Sequence, residues 1–335
     1  CVVNWDTFMS HEDRRMSKGG HLGNPGESNE TKTGDPRVAT IVLNQSQLNL
    51  TRDVLQSIVS SSWKANCIIL VDNHSTDGSA GQLAKEFPMI EIIQSPVNIG
   101  CAGGWNLAAR VADEKGVDYL FFVDNDAVVS KDCISRLVAT FERDPSLGIV
   151  GPRITVTRND ESQAIVGSVI EWERCFYQTI QIATEKLPMD PLVEAAWIPG
   201  TAWMVRSALF ENVDPLDERY FIYFENSDFS NRAQAKGFTT KIATDAEVVH
   251  HENSVFGLNS PARDYYYTRN RIRFFTAHSP RPLFSIYFLI SRALLWALRM
   301  AVQGSGARSR AILSGILDAT LGRSGRARRR SCDSH

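Results

Sequence analysis

The stretch "YLFFVDNDAVVS", residues 119–130, runs an apolar segment straight into Asp124-Asn125-Asp126. Two carboxylates one residue apart can hold a divalent ion, and Mg²⁺ or Mn²⁺ held in this way bridges protein oxygens to phosphate. The same residues also suit a solvated turn, because Asp and Asn hydrogen-bond readily to nearby backbone. Three residues do not separate these readings, so the neighbouring groups must decide.

Several other groups could do chemistry. In "LVDNHSTDGS" (70–79), Asp72, Asn73, Asp77 and Gly78 follow a strand and precede a helix. Asp72 could accept from a base N–H or a ribose hydroxyl, and the loop N–H groups and helix start could face phosphate. The alternative is an Asx-rich turn capped by Ser75 or Ser79. In "NIGCAGGWN" (98–106), Gly100, Gly103 and Gly104 allow close backbone approach to a ligand. Asn98 or Asn106 could offer an amide to sugar or phosphate; a tight turn at a glycine-rich helix start is the alternative. In "DERYFIYFENSDFSNRAQAKG" (217–237), Glu225 and Asp228 share a face if the segment is helical, and Arg232 is spaced to pair with Asp228. A surface helix capped by Asn226 or Ser227 would look the same. "VVHHEN" ends a strand-like run in His250 and His251. One of them could give an imidazole nitrogen to a Mn²⁺-like ion, or the two could be plain surface histidines.

The elements that must position these groups alternate. Strands are expected at 38–43, 67–73, 90–95 and through "DYLFFVDND", with helices in "NLTRDVLQSIVSS", "SAGQLAKEF", "GGWNLAARVADEKG" and "KDCISRLVATFERDP". Such alternation predicts a doubly wound, mostly parallel α/β sheet. Ligands in these sheets lie outside the carboxyl ends of the strands, where Asp72 and Asp124 fall. The "LGIVGPRI" strand is expected to break at Gly151-Pro152, residues 154–195 to form an irregular excursion, and "TTKIATDAEVVHHEN" to form a strand pair. Residues 1–36, rich in glycine and polar residues, have little to bury and are expected to be poorly ordered.

Composition narrows the function. The chain has 335 residues and a formal net charge of -2, so its overall charge gives no case for nucleic acid. Its 6 cysteines include no Cys-x-x-Cys pair, which argues against structural zinc and suits a reducing, cytoplasmic compartment. No Gly-x-Gly-x-x-Gly or Gly-x-x-x-x-Gly-Lys loop occurs, so a NAD enzyme and a P-loop ATPase lose ground.

Taken in order over residues 38–275, these pieces resemble the family 2 glycosyltransferases, in particular the rhamnosyl- and galactofuranosyl-transferase-like branch. The motifs that carry the likeness are "VDNHSTDGS", "NIGCAGGWN", "DND", "WIPGTAWMVRSALF", "LDERYFIYFENSDFSNR", "VVHHEN" and "YYYTRNRIRFF". The resemblance implies a GT-A fold with an acceptor-side extension and C-terminal helices. It implies donor binding by Asp72, Asn73, Asp77, Gly100, Gly103, Asn106 and Asp124, and a Mg²⁺ or Mn²⁺ site at Asp124, Asp126 and His250. It places Trp197, Gly200 and Thr201 beside the acceptor, and Glu225, Asn226 and Asp228 in the catalytic block. The implied reaction is inverting transfer from a UDP-, dTDP- or GDP-linked sugar to a hydroxyl of a glycan or polyprenyl-linked glycan.

Asn226 departs from the family pattern, which usually has an acid there. An amide cannot take a proton at neutral pH, so Glu225, or else Asp228, must serve as base. A degenerate sugar-nucleotide-binding or scaffold protein is the alternative that Asn226 supports. A sugar-phosphate nucleotidyltransferase is a further alternative, but "TIVLNQSQLNLTR" lacks the glycine-rich basic loop that would grip triphosphate.

The C-terminal part, 276–335, is expected to stand apart from a catalytic domain at 37–275. "RPLFSIYFLISRALLWALRMAVQG" is apolar except for a stripe of Ser285, Arg292 and Arg299 at seven-residue spacing. It could lie in a membrane interface with its arginines snorkelling, or dock on the catalytic domain. Residues 304–335 carry seven arginines against two aspartates, a net +5 that favours anionic lipid. Peripheral attachment to the cytoplasmic face of a membrane is the resulting expectation.

Overall fold

The computed structural model describes residues 2–3, 35–64, 67–158, 161–251 and 259–327. The expectation for residues 1–36 lies largely outside them; Val2–Val3 forms a short strand, β1. The other strands are β2 (Val38–Asn44), β3 (Cys67–Asp72), β4 (Glu91–Gln94), β5 (Tyr119–Val123), β6 (Ala127–Val129), β7 (Leu147–Arg158), β8 (Glu161–Glu171), β9 (Phe176–Ala183), β10 (Leu192–Glu194), β11 (Ala202–Arg206) and β12 (Thr239–His250). The helices are α1 (Leu48–Val59), α2 (Ser79–Glu86), α3 (Gly100–Glu114), α4 (Cys133–Arg143), α5 (Ser207–Asn212), α6 (Glu225–Ala235), α7 (Pro261–His278), α8 (Pro282–Val302) and α9 (Gly306–Thr320).

The central sheet runs β1-β4-β3-β2-β5-β11-β7-β12-β10. The half from β1 to β5 is parallel, as the alternation of strands and helices predicts. Antiparallel β11 then joins β5 to β7. All five residues of β5 are buried because both faces of the sheet are covered. Phe121 packs with α1, α2 and α4, through residues such as Leu55, Leu83 and Phe141. Phe122 packs on the other side between Trp105 and Trp203, at ring-centroid distances of 5.1 and 4.6 Å. A fully buried phenylalanine contributes roughly 1.5–3 kcal/mol, so these alternating rings lock the strand whose end carries Asp124.

Three sequence expectations need correction. Residues 154–195 are not irregular, because β7 continues through Gly151-Pro152 and forms an antiparallel ladder with β8, which pairs in turn with β9. Gly151 is needed there, since a Cβ would sit 2.4 Å from Ile198 Cγ2. Pro152 is tolerated beside the point where pairing with β12 slips, between Ala243 and Glu247. The "TTKIATDAEVVH" segment is one long strand interrupted by that irregularity, not a strand pair.

The C-terminal helices pack against Trp172, Tyr220 and Phe224. The α7 helix starts at a Ser260 cap with Pro261 in its first turn, and it runs across the expected boundary at 275/276. Residues 306–320, expected as part of a basic tail, form α9. That helix is held to α7 by Arg308–Asp264 at 2.6 Å and by Tyr265 donating to Asp318 at 2.7 Å. Arg328, Arg329, Arg330 and Asp333 lie outside the described residues. The α8 helix docks through Leu289, Ala293, Ala297 and Met300 and leaves Leu283, Tyr287, Leu294 and Leu298 exposed. It therefore docks on the rest of the chain, one of the two alternatives read from its sequence, and keeps an exposed apolar face. Among the described residues it is the one helix long and apolar enough to cross a membrane, by length and composition. Ser285 does not extend a solvated stripe, because it is fully buried and donates to Ser279.

Candidate active site

The carboxyl ends of β2, β3 and β5 open into a cleft of ≈ 370 Å³, closed on its far side by residues 221–226 and by Trp197. Asp124 leaves β5 with its N–H bonded to Thr201 O at 2.9 Å. The chain then turns into β6, which pairs antiparallel with the end of β12 and sets Ala127 opposite His250. That register brings His250 Nε2 to 3.2 Å from Asp126 Oδ1, although the two are far apart in sequence. Asp124, Asp126, His250 and Glu225 all line the cleft, and among the described lining residues there is no lysine or arginine.

A chain of side-chain hydrogen bonds fixes the strand-end side of the cleft. Asn125 donates to Gln47 and Thr51, Thr51 donates to Asn44, and Asn44 donates to Asp72, Ser75 and Ser79. Asn44 therefore ties the Asp-x-Asp turn to the 72–79 loop. Sequence reading passed over it; the available signal was a polar residue ending the apolar run of β2, opposite Asp72. Asn73 joins the next pair of loops, accepting from Ile99 N and donating to Gly100 O.

The glycines of 98–106 mainly serve chain packing. Gly100 has φ +78°, and a Cβ there would lie 2.3 Å from Phe221 O. Gly103 packs on Ile99 and Gly104 on Leu43. Asn106 is turned away from the cleft, its amide spent on Leu216 and Glu218. Asp77 bonds to Ser79 N, while Gly78, in a left-handed conformation, takes the cap position expected for Ser75 or Ser79. Of the seven expected donor residues, Asn73, Gly100 and Asp124 line the cleft; Asp72, Asp77, Gly103 and Asn106 do not. Asp72 instead supports the loop through Asn44 and Ser75.

The wall of the cleft at residues 221–226 is built on a strained turn. Phe221, Tyr223 and Phe224 all have positive φ, a conformation rare for bulky residues. Asn270 of α7 donates to the carbonyls of Tyr220, Ile222 and Tyr223, and Arg269 donates to Tyr220 O. Both side chains are fully buried. The turn delivers Glu225 as the first residue of α6, buried, with Oε2 unpartnered. Burial, with a further push from Asp228, raises its carboxyl to about 7. Asn226 also lines the cleft and donates to Ile198 O, beside Gly200. Trp197 stacks on Tyr177 with centroids 4.1 Å apart, and both line the cleft, as do Gly200 and Thr201.

Asp228 is placed elsewhere. Its oxygens accept from Arg232 at 2.8 Å and His278 at 2.7 Å, and it does not line the cleft. Arg232 in turn ties down the carbonyls of Val213, Asp214 and Pro215. Burial pushes the Asp228 carboxyl up, but its bonds to His278 and Arg232 outweigh this and leave it below the usual range. It is an anchor, and the sequence spacing had already suggested the Arg232 partner.

The donor set fits a hard divalent cation in its chemistry: two carboxylates and one imidazole. Burial, and then the neighbouring Asp126, raise Asp124 to about 8, against the opposing pull of His250. Among the described residues, no three such groups are already closed to ligating distance.

Comparisons with known proteins bear on the family and the fold. A family model, glycosyl transferase family 2, matches residues 38–209. An N-acetylglucosaminyl-diphospho-decaprenol L-rhamnosyltransferase of Mycobacterium tuberculosis is 27% identical over 220 residues, 59% of this chain and 70% of the relative. The dTDP-rhamnosyl transferase RfbF of Shigella flexneri is 23% identical over 64% of this chain and 73% of its own. Among solved structures, the Pyrobaculum calidifontis mannosyltransferase PcManGT with GDP-Man and Mn²⁺ superposes with a TM-score of 0.54 at 16% identity, over 94% of both chains. GalNAc-T7 with UDP, GalNAc and Mn²⁺ gives 0.56 at 13% identity, over 72% of this chain and about half, 51%, of that one.

Proposed function

The chain belongs to glycosyl transferase family 2 and is an enzyme that transfers a sugar. On that premise we propose that it is a cation-dependent, inverting transferase acting on a nucleoside-diphosphate sugar. The acceptor is a hydroxyl of a glycan or lipid-linked glycan. The observation that carries this reading is the charge of the cleft: three carboxylates, those of Asp126 and Glu225 buried, and a histidine, with no lysine or arginine among the described lining residues. A diphosphate entering such a cleft needs positive charge from outside the chain. Asp124, Asp126 and His250 would hold Mg²⁺ or Mn²⁺, whose chemistry is to neutralise charge growing on the leaving diphosphate.

The remaining roles belong to the chain's own residues. Glu225 takes the proton from the acceptor hydroxyl, since its raised carboxyl titrates near the working pH. Asn226 positions rather than abstracts, its amide held by Ile198. Trp197 and Tyr177 offer a flat apolar wall for a sugar ring. A single base on the acceptor side supports one displacement and hence inversion. The names of the two rhamnosyl-transferring relatives favour a deoxyhexosyl donor. The exposed apolar face of α8 supports work at a membrane surface, on its cytoplasmic side. A sugar-phosphate nucleotidyltransferase is disfavoured by the lack of a basic triphosphate grip in the cleft.

The test is thermal unfolding of the full chain with UDP-, dTDP- and GDP-sugars, with and without Mn²⁺, since a ligand of the native state raises Tm. A cation-dependent rise with one donor, followed by transfer from it with inverted anomeric configuration, is expected. Stabilisation that is indifferent to the cation would overturn the metal assignment. Retained configuration would overturn the single displacement.

A further inference from the structure

A second cavity, ≈ 680 Å³, lies between β9, α7 and α8. Four arginines line it, Arg174, Arg271, Arg292 and Arg299, and no aspartate or glutamate is among the described lining residues. Arg292 and Arg299 have no carboxylate partner among the described residues, and Arg174 has one contact of 3.4 Å with exposed Glu171. Arg271 donates to Cys175 O, and its Nε is buried without a partner. Four cations gathered in one concavity repel each other unless an anion joins them. Guanidinium groups suit phosphate oxygens because their planar donors bind two at a time.

Apart from Tyr267 and Thr268, the rest of the wall is apolar, with Phe288, Leu289 and Trp296 among it. The outer face of α8 continues that surface, leaving Leu283, Tyr287, Leu294 and Leu298 exposed. A ligand that matches both parts carries a phosphate group and a long apolar chain.

Position sets this ligand apart from an ordinary phospholipid. Tyr267 lines both this cavity and the cleft. Strand alternation in β9 puts Phe176 on the arginine side and Tyr177 on the cleft side. An anion held by the arginines therefore sits one side chain away from the proposed transfer site. We infer that the arginine cavity binds the diphosphate of a polyprenyl-diphosphate-linked acceptor. Its hydrocarbon runs along α8 and its sugar reaches the cleft past Tyr267. The inference rests on the proposed function for the identity of the acceptor, but its test does not require turnover.

The test is co-flotation of the full chain with three phosphatidylcholine vesicles: undoped, doped with polyprenyl diphosphate, and doped with phosphatidylglycerol to equal charge. Binding to the diphosphate vesicles should be at least about tenfold tighter than to the phosphatidylglycerol vesicles, the scale of one or two charge-assisted hydrogen bonds. Inorganic diphosphate should compete in the wild type. R292Q/R299Q should lose the preference while keeping the wild-type Tm, since both arginines are exposed. Equal binding to both anionic vesicles would overturn the inference in favour of general surface charge. So would a preference that survives R292Q/R299Q and ignores inorganic diphosphate. Failure of the proposed function would appear separately, as no response to any nucleotide sugar in the unfolding assay.

Discussion

Tyr267 separates two cavities of opposite chemistry. On one side three carboxylates and a histidine converge with no fixed cation; on the other, four arginines converge with no fixed anion. Both suit a diphosphate on the readings given above, but for different tasks. A leaving group must be neutralised during reaction and then released, which suits a cation that can come and go with it. An acceptor anchor must hold through the reaction, which suits charges built into the helices. On the proposed function, the carboxylates are tolerated in the cleft because a bound cation and nucleotide would complete it.

The sharpest way to break the comparison is E225Q. It keeps size and removes the proposed base, so kcat should fall by ~10²–10⁴-fold, with nucleotide binding and vesicle binding little changed. In the wild type, kcat should rise with pH through the region around 7, as Glu225 loses its proton. That limb should vanish in E225Q. Near-wild-type turnover in E225Q, measured on one donor–acceptor pair, would remove Glu225 from the mechanism. N226D on the same pair tests whether an acid at 226 works better in this scaffold.

D126A probes the cleft's charge alone. Loss of one preorganised electrostatic group costs roughly 10²–10³-fold in rate, and Mn²⁺-dependent nucleotide binding should go with it. Binding to polyprenyl-diphosphate vesicles should persist, because the arginines are untouched. If both are lost together in a folded protein, the two cavities are not independent.

A smaller effect is expected at the anchor. D228A leaves Arg232 and His278 without their acceptor and should cost about 2 kcal/mol, less than the loss at a fully buried pair because Arg232 is partly exposed. Urea titration measures this. A drop in kcat without a drop in stability would return Asp228 to the catalytic candidates.

A test of a different kind is the pH dependence of stability without ligands. Asp124 and Glu225 are raised to about 8 and about 7, from ordinary values of 3.8 and 4.5. Between those values the folded state binds more protons than the unfolded one, so stability falls as pH rises from 5 to 8. Mn²⁺ with a donor should cancel most of that fall in Tm. A Tm that rises over the same range would contradict the burial of these acids.

Much of this was legible in sequence because it is local. Alternating apolar runs placed Asp72 and Asp124 at strand ends, and the i,i+4 spacing of Asp228 and Arg232 foretold their pair. What escaped depends on distant partners. The role of Asn44 appears only once β2 lies beside β3. His278 meets Asp228 only when α7 docks. The β7–β9 ladder looked irregular because β9 stands largely out in solvent, with no clean apolar face to mark its period. The glycines of 98–106 were read as making room for a ligand, whereas the room at Gly100 is filled by Phe221, over a hundred residues further along.

The clamp on the 221–224 turn sets an order of assembly. Residues up to 224 leave the ribosome well before Asn270, so the turn is made before the amide that holds it. Three left-handed aromatic residues cost of order 1–3 kcal/mol each, which the nascent chain cannot offset alone. The strand pairing of the parallel half uses no residue beyond 123 and can form first, although α4 and Trp203 complete its packing later. On the proposed function, the enzyme would mature from its donor side towards its acceptor side, and Glu225 would reach its place in the cleft only after α7 has been synthesised and docked.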